Sequence, residues 1–343
     1  MKNTASTGAK PFPKDRTTEA QPACPVCSCA RAAFFCDGRD RLFGLAPGRF
    51  SLYRCRSCGC IFQCPIPDGT TLSGFYPDEY WWSAKQAGSG LVSALNHLER
   101  AYREFVVRDH VRFLLRCARR DSGRRTLLDI GCGSGAFLCV AHRRGFSACG
   151  MDQSPHAAAA AGSIPGIEVR RGEIGSKIWE ERRFDFVCMF HVLEHLPDPR
   201  LGLRYAAGLL APGGSLLIQV PNVASVQARA FGRRWYGLDV PRHVINFSPR
   251  ALKVLLEEAG FRVDETARFS LRDNPAAIAS SLFPALDPIG RHGRGRRRGT
   301  LIEAALEFAY FCIVLLSLLP ALLESLAGRG GTLWVCAAKK QQG

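Results

Sequence analysis

The sequence has few acidic residues and no apolar stretch near its first residue. Asp and Glu number 30 among 343 residues, against 46 Lys and Arg, so the formal net charge is +16. This excess favours an anionic partner, such as nucleic acid, an acidic lipid surface or a phosphorylated substrate, without choosing among them. Because the first twenty residues are polar and lack the apolar core of a signal peptide, we expect a reducing, cytoplasmic location.

The chain also lacks internal repeats, and only 22% of its residues are charged while 47% are hydrophobic. This composition permits a sizeable core and excludes a wholly disordered chain. At about 150 residues per domain, the length allows two domains. Residues 1–22, rich in Thr, Pro, Lys and Ala, are predicted to form a disordered tail. Residues 66–120 are predicted to be an aromatic linker (Phe75, Tyr76, Tyr80, Trp81, Trp82) followed by a helical lead-in at 91–120.

Cysteine is abundant: eight of the fifteen cysteines lie between residues 23 and 65. In a reducing compartment, clustered cysteines indicate metal ligands before disulfides. Two Cys-x-x-Cys pairs, Cys24 with Cys27 and Cys55 with Cys58, supply four thiolates for one tetrahedral Zn²⁺. Four protein ligands leave no open position, so residues 23–65 predict a structural zinc ribbon. The nearby cysteines are substitute ligands or small buried residues, and a metal-free loop or an iron–sulfur cluster are the alternatives.

From Thr126 onwards, short apolar runs alternate with helical stretches. Strands are predicted at 126–130, 147–151, 167–171, 184–190 and 214–220, with two final strands at 261–269 and 332–338. Helices are predicted at 135–144, 154–161, 199–210 and 248–259. This alternation predicts an α/β domain with a parallel sheet and helices on both faces. Residues 270–331 exceed what a compact sheet needs, so they are predicted to be an insertion.

A glycine-rich loop, Gly131–Gly135, follows the first of these strands. Glycines let the backbone turn sharply and approach a ligand, but the spacing also fits a dinucleotide fingerprint. Asp129 before the loop suits an ammonium group and disfavours a pyrophosphate. Asp152 ends the next strand, where a carboxylate accepts hydrogen bonds from ribose hydroxyls. A nucleoside with a cationic amino-acid tail, S-adenosylmethionine (SAM), satisfies both carboxylates; the alternative for Asp152 is a helix N-cap.

At this point a resemblance to a known family is carried by four segments. Leu127–Gly135 resembles the first motif of class I SAM-dependent methyltransferases, and Phe184–Pro199 resembles their fourth-strand motif. Leu210–Ile218 is similar to the turn into their fifth strand, and Pro241–Ser248 to the segment after it. The resemblance implies a Rossmann-like seven-stranded methyltransferase sheet within residues 121–343, with the apolar insertion before the last strand. The N-terminal part resembles a zinc-ribbon module fused before such a domain, in a subgroup whose members include sugar methyltransferases.

The resemblance also implies roles for individual residues of a cofactor site. Asp129 binds the methionine end, and Asp152 holds the ribose. Glu173 stands where the family usually has Asp beside the adenine. The remaining implied cofactor-binding residues are Gly131, Cys132, Gly133 and Gly135 in the loop, Gln153 beside the adenine, and Phe190 and His191 at the end of the fourth strand.

Methyl transfer to a hydroxyl or carbon acid also requires removal of a proton, so a general base is expected. His195 and His243 are the predicted catalytic residues, because the pKa of histidine lies near the working pH. His191 is predicted to contact the cofactor, and Glu194 is a weaker candidate base. His191 and His195, four residues apart, could share a helix face. For each of these residues, the alternative to catalysis is a purely structural role. No catalytic metal is predicted.

The predicted insertion contains a basic run, Arg291–Arg298, followed by Phe308–Leu323, sixteen residues without a charge. Basic residues before an apolar helix suit peripheral contact with an anionic membrane. A buried helix, a dimer interface, a membrane span and a re-entrant or interfacial hairpin kinked at Pro320 are the alternatives. A span is disfavoured because the strand at 332–338 should rejoin the sheet.

These patterns predict a SAM-dependent methyltransferase acting on a small molecule, a sugar or a lipid-linked glycan at the cytoplasmic face of the membrane. An RNA or protein methyltransferase that uses the ribbon for recognition is one alternative, although the basic run lacks the interleaved aromatic residues of a nucleic-acid surface. A non-catalytic SAM-binding or scaffold module is the other.

Overall fold

The computed structural model describes residues 21–77, 105, 107–118, 123, 125–294 and 300–340. Several predicted features lie outside the described residues. They are most of the tail at 1–22, the linker residues Tyr80–Trp82, positions 91–104 of the helical lead-in, and Arg296–Arg298 of the basic run.

Eleven strands occur in the described residues. They are β1 (Ala32–Gly38), β2 (Phe50–Cys55), β3 (Ile61–Gln63), β4 (Thr126–Ile130), β5 (Ser147–Asp152), β6 (Glu168–Arg171), β7 (Phe184–Phe190), β8 (Leu210–Pro221), β9 (Ile245–Asn246), β10 (Phe261–Ala267) and β11 (Thr332–Lys339). The α-helices of the described residues are α1 (Gly69–Ser73), α2 (107–118), α3 (Ala136–His142), α4 (Pro155–Gly162), α5 (Pro199–Leu209), α6 (Val226–Phe231), α7 (Pro249–Glu258), α8 (Asp273–Leu282), α9 (Pro288–Gly293), α10 (Thr300–Leu316) and α11 (Leu318–Leu326).

The larger sheet has seven strands in the order β10-β11-β8-β7-β4-β5-β6. Strands β4 to β8 pair in parallel, as the alternation of strands and helices predicts. β11 runs antiparallel to both β8 and β10, so the sheet is mixed rather than wholly parallel. The prediction of a Rossmann-like, seven-stranded sheet is confirmed. Because parallel strands end at one edge, the carboxyl ends of β4, β5 and β7 lie together.

Alternation along the strands divides the core between the two faces of this sheet. Leu127 belongs to one buried cluster and Leu128 to the other. The first cluster packs against α2 and α3, the second against α5 and α7. In α7, Leu252, Leu255 and Leu256 are buried at the i, i+3, i+4 spacing of one helix face. Each such leucine contributes about 1.5–3 kcal/mol when it leaves water.

β8 begins at Leu210, four residues before the predicted start at 214. Phe184 pairs with Leu210, and Phe186 pairs with Ser215. Between these two pairs β8 has more residues than β7, so β8 forms a bulge there. A side chain at Gly214 would meet the carbonyl oxygens of Phe184 and Asp185 at 3.0 and 3.1 Å. A side chain would therefore be crowded where this irregular start crosses β7, which favours glycine.

The smaller sheet has the order β1-β2-β3-β9 and is antiparallel throughout. Its fourth strand, β9, lies more than 180 residues after β3 in the sequence and pairs with it, with Phe62 opposite Ile245. A buried guanidinium reinforces this junction: Arg242 donates to Asp40 at 3.0 Å and to Asp239 at 2.6 Å. The cysteine-rich segment is thus joined to the larger domain by both backbone pairing and ion pairs.

Four helices, α8 to α11, occur in the described residues between β10 and β11. The break between α10 and α11 lies at Ser317, in the turn before Pro320, where the sequence predicts a kink. Proline has no N–H to donate to the carbonyl four residues earlier and its ring collides with it, so the regular helix ends at Leu316. By length and composition, Ile302–Leu326 is the one stretch of the described helices that could cross a membrane.

Candidate functional site

The glycine loop and the end of β5 form one hydrogen-bonded unit. The backbone N–H groups of Gly131 and Cys132 donate to the carbonyl of Met151 at 2.7 and 3.1 Å. The N–H of Gly133 donates to Oδ2 of Asp152 at 3.0 Å. Gly131, Gly133 and Gly135 all have positive φ, which disfavours any residue with a side chain. The loop is therefore held at the position where the carboxyl ends of β4 and β5 meet.

Asp152 also caps the next turn, since its Oδ1 accepts from the N–H of Ser154 at 2.8 Å. Burial raises the pKa of Asp152, and the two backbone donors act in the opposite direction. The helix cap proper is Ser154, whose hydroxyl accepts from Ala157. Asp152 therefore holds the loop, and its carboxylate still has lone pairs for a ligand's hydroxyl groups.

Asp129 lies at the end of β4 and is 4% exposed. Within the described ranges, no N–H or hydroxyl donates to its carboxyl group. Burial first, and then the charge of Asp152, raises the pKa of Asp129 well above its usual value. A buried carboxyl group without a donor is costly unless a cation or a proton accompanies it. These features fit a ligand that brings an ammonium group.

The other predicted cofactor residues lie around this unit with different exposures. Cys132 is buried within the loop, whereas Gln153 and Glu173 are exposed after β5 and β6. Phe190, at the end of β7, packs among aromatic rings. Its centroid lies 5.1 Å from that of Phe137 and 4.8 Å from that of His110. The end of β7 is therefore apolar on one side.

His191 follows β7 with a φ of 56° and lies between two carboxylates. Its Nδ1 is 3.2 Å from Oε1 of Glu194, and its Nε2 is 3.3 Å from Oδ2 of Asp273. Burial lowers the pKa of His191, but Asp273 and Glu194 outweigh it and raise the pKa to about 9. His191 is therefore an imidazolium at neutral pH, with each ring nitrogen donating to a carboxylate.

Three further groups meet beside it. The ligand atoms of Glu194, His195 and His243 all lie within 4.8 Å of one another. The two imidazole centroids are 4.6 Å apart in an edge-to-face arrangement. Burial first, and then the charge of His243, lowers the pKa of His195 to about 4. His195 is thus a neutral proton acceptor at pH 7.

His195 and His191 do not share a helix face, contrary to the expectation from their spacing. The turn that carries His195 is a 3-10 turn that begins only at Leu193. His195 instead faces Tyr76, whose hydroxyl lies 2.8 Å from its Nδ1. Glu194, fully buried between the two histidines, has its Oε2 without a hydrogen-bond partner in the described part of the chain.

His243 is held by the loop that precedes β9. Its Nδ1 donates to the carbonyl oxygen of Gly237 at 2.7 Å, because a carbonyl oxygen can only accept. Oδ2 of Asp239 lies 4.0 Å from Nε2 of His243. Burial raises the pKa of Asp239, but Arg242 outweighs it and lowers the pKa to about 2. Asp239 therefore stays ionised beside this imidazole.

Sequence reasoning did not select Asp273, Asp239 or Tyr76 as site residues. Asp273 and Asp239 lie in loops or helix ends far from the glycine loop along the chain, and no local pattern marks them. The sequence carries one indication of the role of Asp239, the spacing Asp239-x-x-Arg242-His243. This spacing places the carboxylate about one helical turn before both Arg242 and His243.

The four predicted zinc ligands are brought together in the smaller domain. Each sulfur of Cys24, Cys27, Cys55 and Cys58 lies within 4.8 Å of the others. The Cys24–Cys58 and Cys27–Cys55 sulfur distances are 3.7 and 3.5 Å. These are close to the ~3.8 Å edge of a tetrahedron with Zn–S bonds of about 2.3 Å. Cys60 is also buried here, 3.4 Å from the sulfurs of both Cys24 and Cys58.

Comparison with known proteins gives this geometry a context. A family model described as a methyltransferase domain matches residues 99–266. A probable S-adenosylmethionine-dependent methyltransferase of Mycolicibacterium smegmatis is 30% identical over 250 residues. That match covers 71% of this chain and 78% of the relative.

A ubiquinone biosynthesis O-methyltransferase of Azorhizobium caulinodans is 27% identical over 198 residues, covering 54% of this chain and 78% of the relative. Among solved structures, a SAM-bound amino pentose methyltransferase from Micromonospora echinaspora is 26% identical. Its TM-score is 0.32, and the match covers 35% of this chain and 54% of that chain.

Proposed function

The chain belongs to the class I SAM-dependent methyltransferases, and from this premise we propose that it methylates a hydroxyl group of a small-molecule, sugar or lipid-linked glycan acceptor. The observation that carries the proposal is the group of Glu194, His195 and His243 beside the end of β7, in which Glu194 and His243 are buried. It places two imidazoles close to the glycine loop, because a side chain at Gly131 would meet Val192, three residues before His195, at 2.6 Å.

The residues around the loop fit the cofactor. Bound SAM supplies a methyl group on a positively charged sulfur, so the leaving group needs no acid. Asp129 would pair with the ammonium group of its amino-acid tail, which provides the positive charge that this buried carboxyl group lacks. Asp152 would accept hydrogen bonds from the ribose hydroxyls. The glycines with positive φ allow the backbone to lie close to the ligand.

On the acceptor side, the chain's own task is to orient a hydroxyl group and remove its proton. Positioning contributes about 7–11 kcal/mol in reactions of this kind. We assign the proton to Nε2 of His243, where the carboxylate of Asp239 stabilises the resulting imidazolium. His195 is the second candidate acceptor, oriented by Tyr76 and by the carbonyl of Arg242.

An oxygen acceptor is supported by the relative whose name specifies an O-methyltransferase. The net charge of +16 favours the rival class, an RNA or acidic protein acceptor. A cytoplasmic location remains part of the proposal.

The acceptor class is tested by incubating the purified protein with methyl-labelled SAM and fractionated cell extract. The control is Gly133→Arg, which places a large side chain at a position with a φ of 53°. Label in the glycan, lipid or small-molecule fraction, absent from the control, supports the proposal. Label in RNA or protein overturns the acceptor class, and a protein that binds SAM but labels no fraction supports the scaffold alternative.

We further propose that Cys24, Cys27, Cys55 and Cys58 hold one structural zinc ion. The near-tetrahedral sulfur spacing supports this set, and four thiolates leave no position for a substrate. Zinc binding at such a site contributes on the order of 10–16 kcal/mol to folding of a small module. Cys60 is the competing ligand, because its sulfur touches two members of the set.

Metal analysis of purified variants distinguishes these ligands. Cys55→Ser is expected to lose zinc, whereas Cys60→Ser is expected to retain about one ion per chain. Loss of zinc from Cys60→Ser with retention in Cys58→Ser would place Cys60 in the ligand set instead. A native protein purified with no zinc, or with iron and sulfide, would contradict the zinc proposal.

A further inference from the structure

The helices α10 and α11 present a continuous apolar surface to solvent. We define the outer face as the large side chains Phe308, Leu315, Leu316, Leu319, Leu323 and Leu326. Their exposed fractions range from 48% for Leu315 to 78% for Leu316. In the most apolar part of Ile302–Leu326, only 17% of the residues are buried. A helix of this composition in a soluble core would be mostly buried, so the outer face lacks a partner within the described chain.

The polar side chains of the same helices point inwards and are paired. The hydroxyl of Tyr310 lies 2.9 Å from that of Ser280 on α8. Glu324 accepts from the side chain of Gln227 at 2.5 Å and from its backbone N–H at 3.1 Å. Glu303 pairs with Arg291. This arrangement is the reverse of an ordinary surface helix, in which the apolar stripe faces the core.

Basic residues lie close in sequence to the elements that contact α10 and α11. α6, which Gln227 ties to α11, carries the exposed Arg229 and is followed by the exposed Arg233 and Arg234. α9, which precedes α10, is followed by Arg294, whose guanidinium donates to the carbonyl oxygen of Arg41. In the sequence, Arg296–Arg298 come just before α10. An apolar face beside cationic side chains is complementary to the headgroups and acyl chains of an anionic bilayer.

We propose that the outer face of α10 and α11 docks on the surface of an anionic lipid bilayer. A second copy of this chain is disfavoured as the occupant because it brings the same net charge of +16 and the same arginines. A membrane span is disfavoured because β10 and β11, on either side of the helices, pair in one sheet. Both ends of the helical segment therefore stay on the same side of the membrane.

Docking of this kind places the candidate active site near the lipid surface. α8 runs between the two, since its first residue, Asp273, contacts His191 and its Ser280 contacts Tyr310 on α10. A lipid-linked acceptor could then reach the site from the bilayer. This consequence rests on the proposed function, whereas docking itself requires neither SAM nor an acceptor.

Vesicle sedimentation tests the docking with the full-length protein. One set of vesicles is pure phosphatidylcholine, and the other contains about 30% phosphatidylglycerol. The protein is expected to sediment with the anionic vesicles, less so with the neutral ones, and less at high salt. The double variant Leu316→Glu, Leu319→Glu is expected to lose at least about tenfold in vesicle partitioning.

The matched control is Leu201→Glu on α5, a leucine that is 43% exposed and lies outside the outer face. It is expected to partition like the native protein. SAM affinity of each variant shows that it is folded, independently of membrane binding. The proposal is overturned if the native protein does not bind, if the double variant binds equally well, or if the native protein is a dimer that the double variant converts to monomers with vesicle binding unchanged.

Discussion

Oδ2 of Asp273 lies 3.3 Å from Nε2 of His191, although 82 residues separate the two in the sequence. The same oxygen accepts from the side chains of Gln219 at 2.6 Å and Ser270 at 2.7 Å. A carboxylate that receives several donors stays ionised, and burial strengthens its attraction for the imidazolium. Asp273, near the start of the segment between β10 and β11, therefore supplies a carboxylate to the site at the end of β7.

Asp273→Asn is expected to lower the pKa of His191 and to change how stability depends on pH. Asp273 and Glu194 hold the pKa of His191 at about 9 against its ordinary 6.5. A group whose pKa is raised on folding contributes stability that is complete below its unfolded pKa and lost as the pH rises through its folded pKa.

The Tm difference between native protein and variant should therefore shrink as the pH rises from about 6.5 towards 9. Thermal unfolding across this pH range measures the difference, and an NMR titration follows His191 directly. A difference that stays constant across the range would contradict the ion pair.

Asp152→Ala is expected to weaken SAM binding by about 10- to 100-fold. A hydrogen bond to a charged group contributes about 1.5–3 kcal/mol, which corresponds to that range. Isothermal titration calorimetry measures the affinity, and thermal unfolding measures stability separately.

Asp198→Ala is the control for a purely structural role of Asp152. Asp198 caps α5 by accepting from the N–H groups of Arg200 and Leu201 at 2.9 and 3.1 Å. Its loss should cost about 1 kcal/mol of stability without changing SAM affinity. If Asp152→Ala behaves in the same way, Asp152 is a structural residue only.

His243→Ala is expected to lower kcat by about 10²- to 10⁴-fold, because general-base catalysis contributes on that scale. SAM affinity should stay unchanged, since the residue acts on the acceptor. His156→Ala on α4, an exposed histidine, is the matched control and should retain activity. A parallel loss of kcat and SAM affinity in His243→Ala would indicate that the residue merely supports the fold.

Arg242→Met is expected to destabilise the protein by about 3–5 kcal/mol, because it leaves buried carboxylates without their cation. The side chains of Arg242 and Asp40 are both fully buried. Urea unfolding measures the loss. The control is Arg262→Met, which removes the ion pair with Asp264. Because the side chain of Arg262 is 72% exposed, the loss of stability should be below about 1 kcal/mol. Equal losses in the two variants would contradict the role of the buried pair.

Local pattern was sufficient for the parallel part of the fold. The strands at 126–130 and 184–190 and the helix after Pro199 lie where apolar periodicity and turn residues predict them. Each of these elements depends on neighbouring residues, and their order along the chain specifies a doubly wound sheet. The start of β8 was missed because its bulge depends on the partner strand rather than on its own residues.

The loop and cysteine assignments likewise came from short spacings. The positive φ values of Gly131, Gly133 and Gly135, and the convergence of four sulfurs, follow from motifs a few residues long. The prediction that His191 and His195 share a helix face is wrong because their spacing is not part of a helix. The chain instead leaves β7 through His191, a single residue in a strained conformation with positive φ.

The sequence by itself determined the sheet, the glycine loop and the paired cysteines, since these are encoded by periodicity and by residues close together in the chain. Only the tertiary structure decided that Asp273 meets His191, that His243 meets His195 and Glu194, and that the apolar side of α10 and α11 faces outward. Such contacts join residues tens of positions apart. Their partners are selected by the packing of whole elements, and no local pattern records that packing.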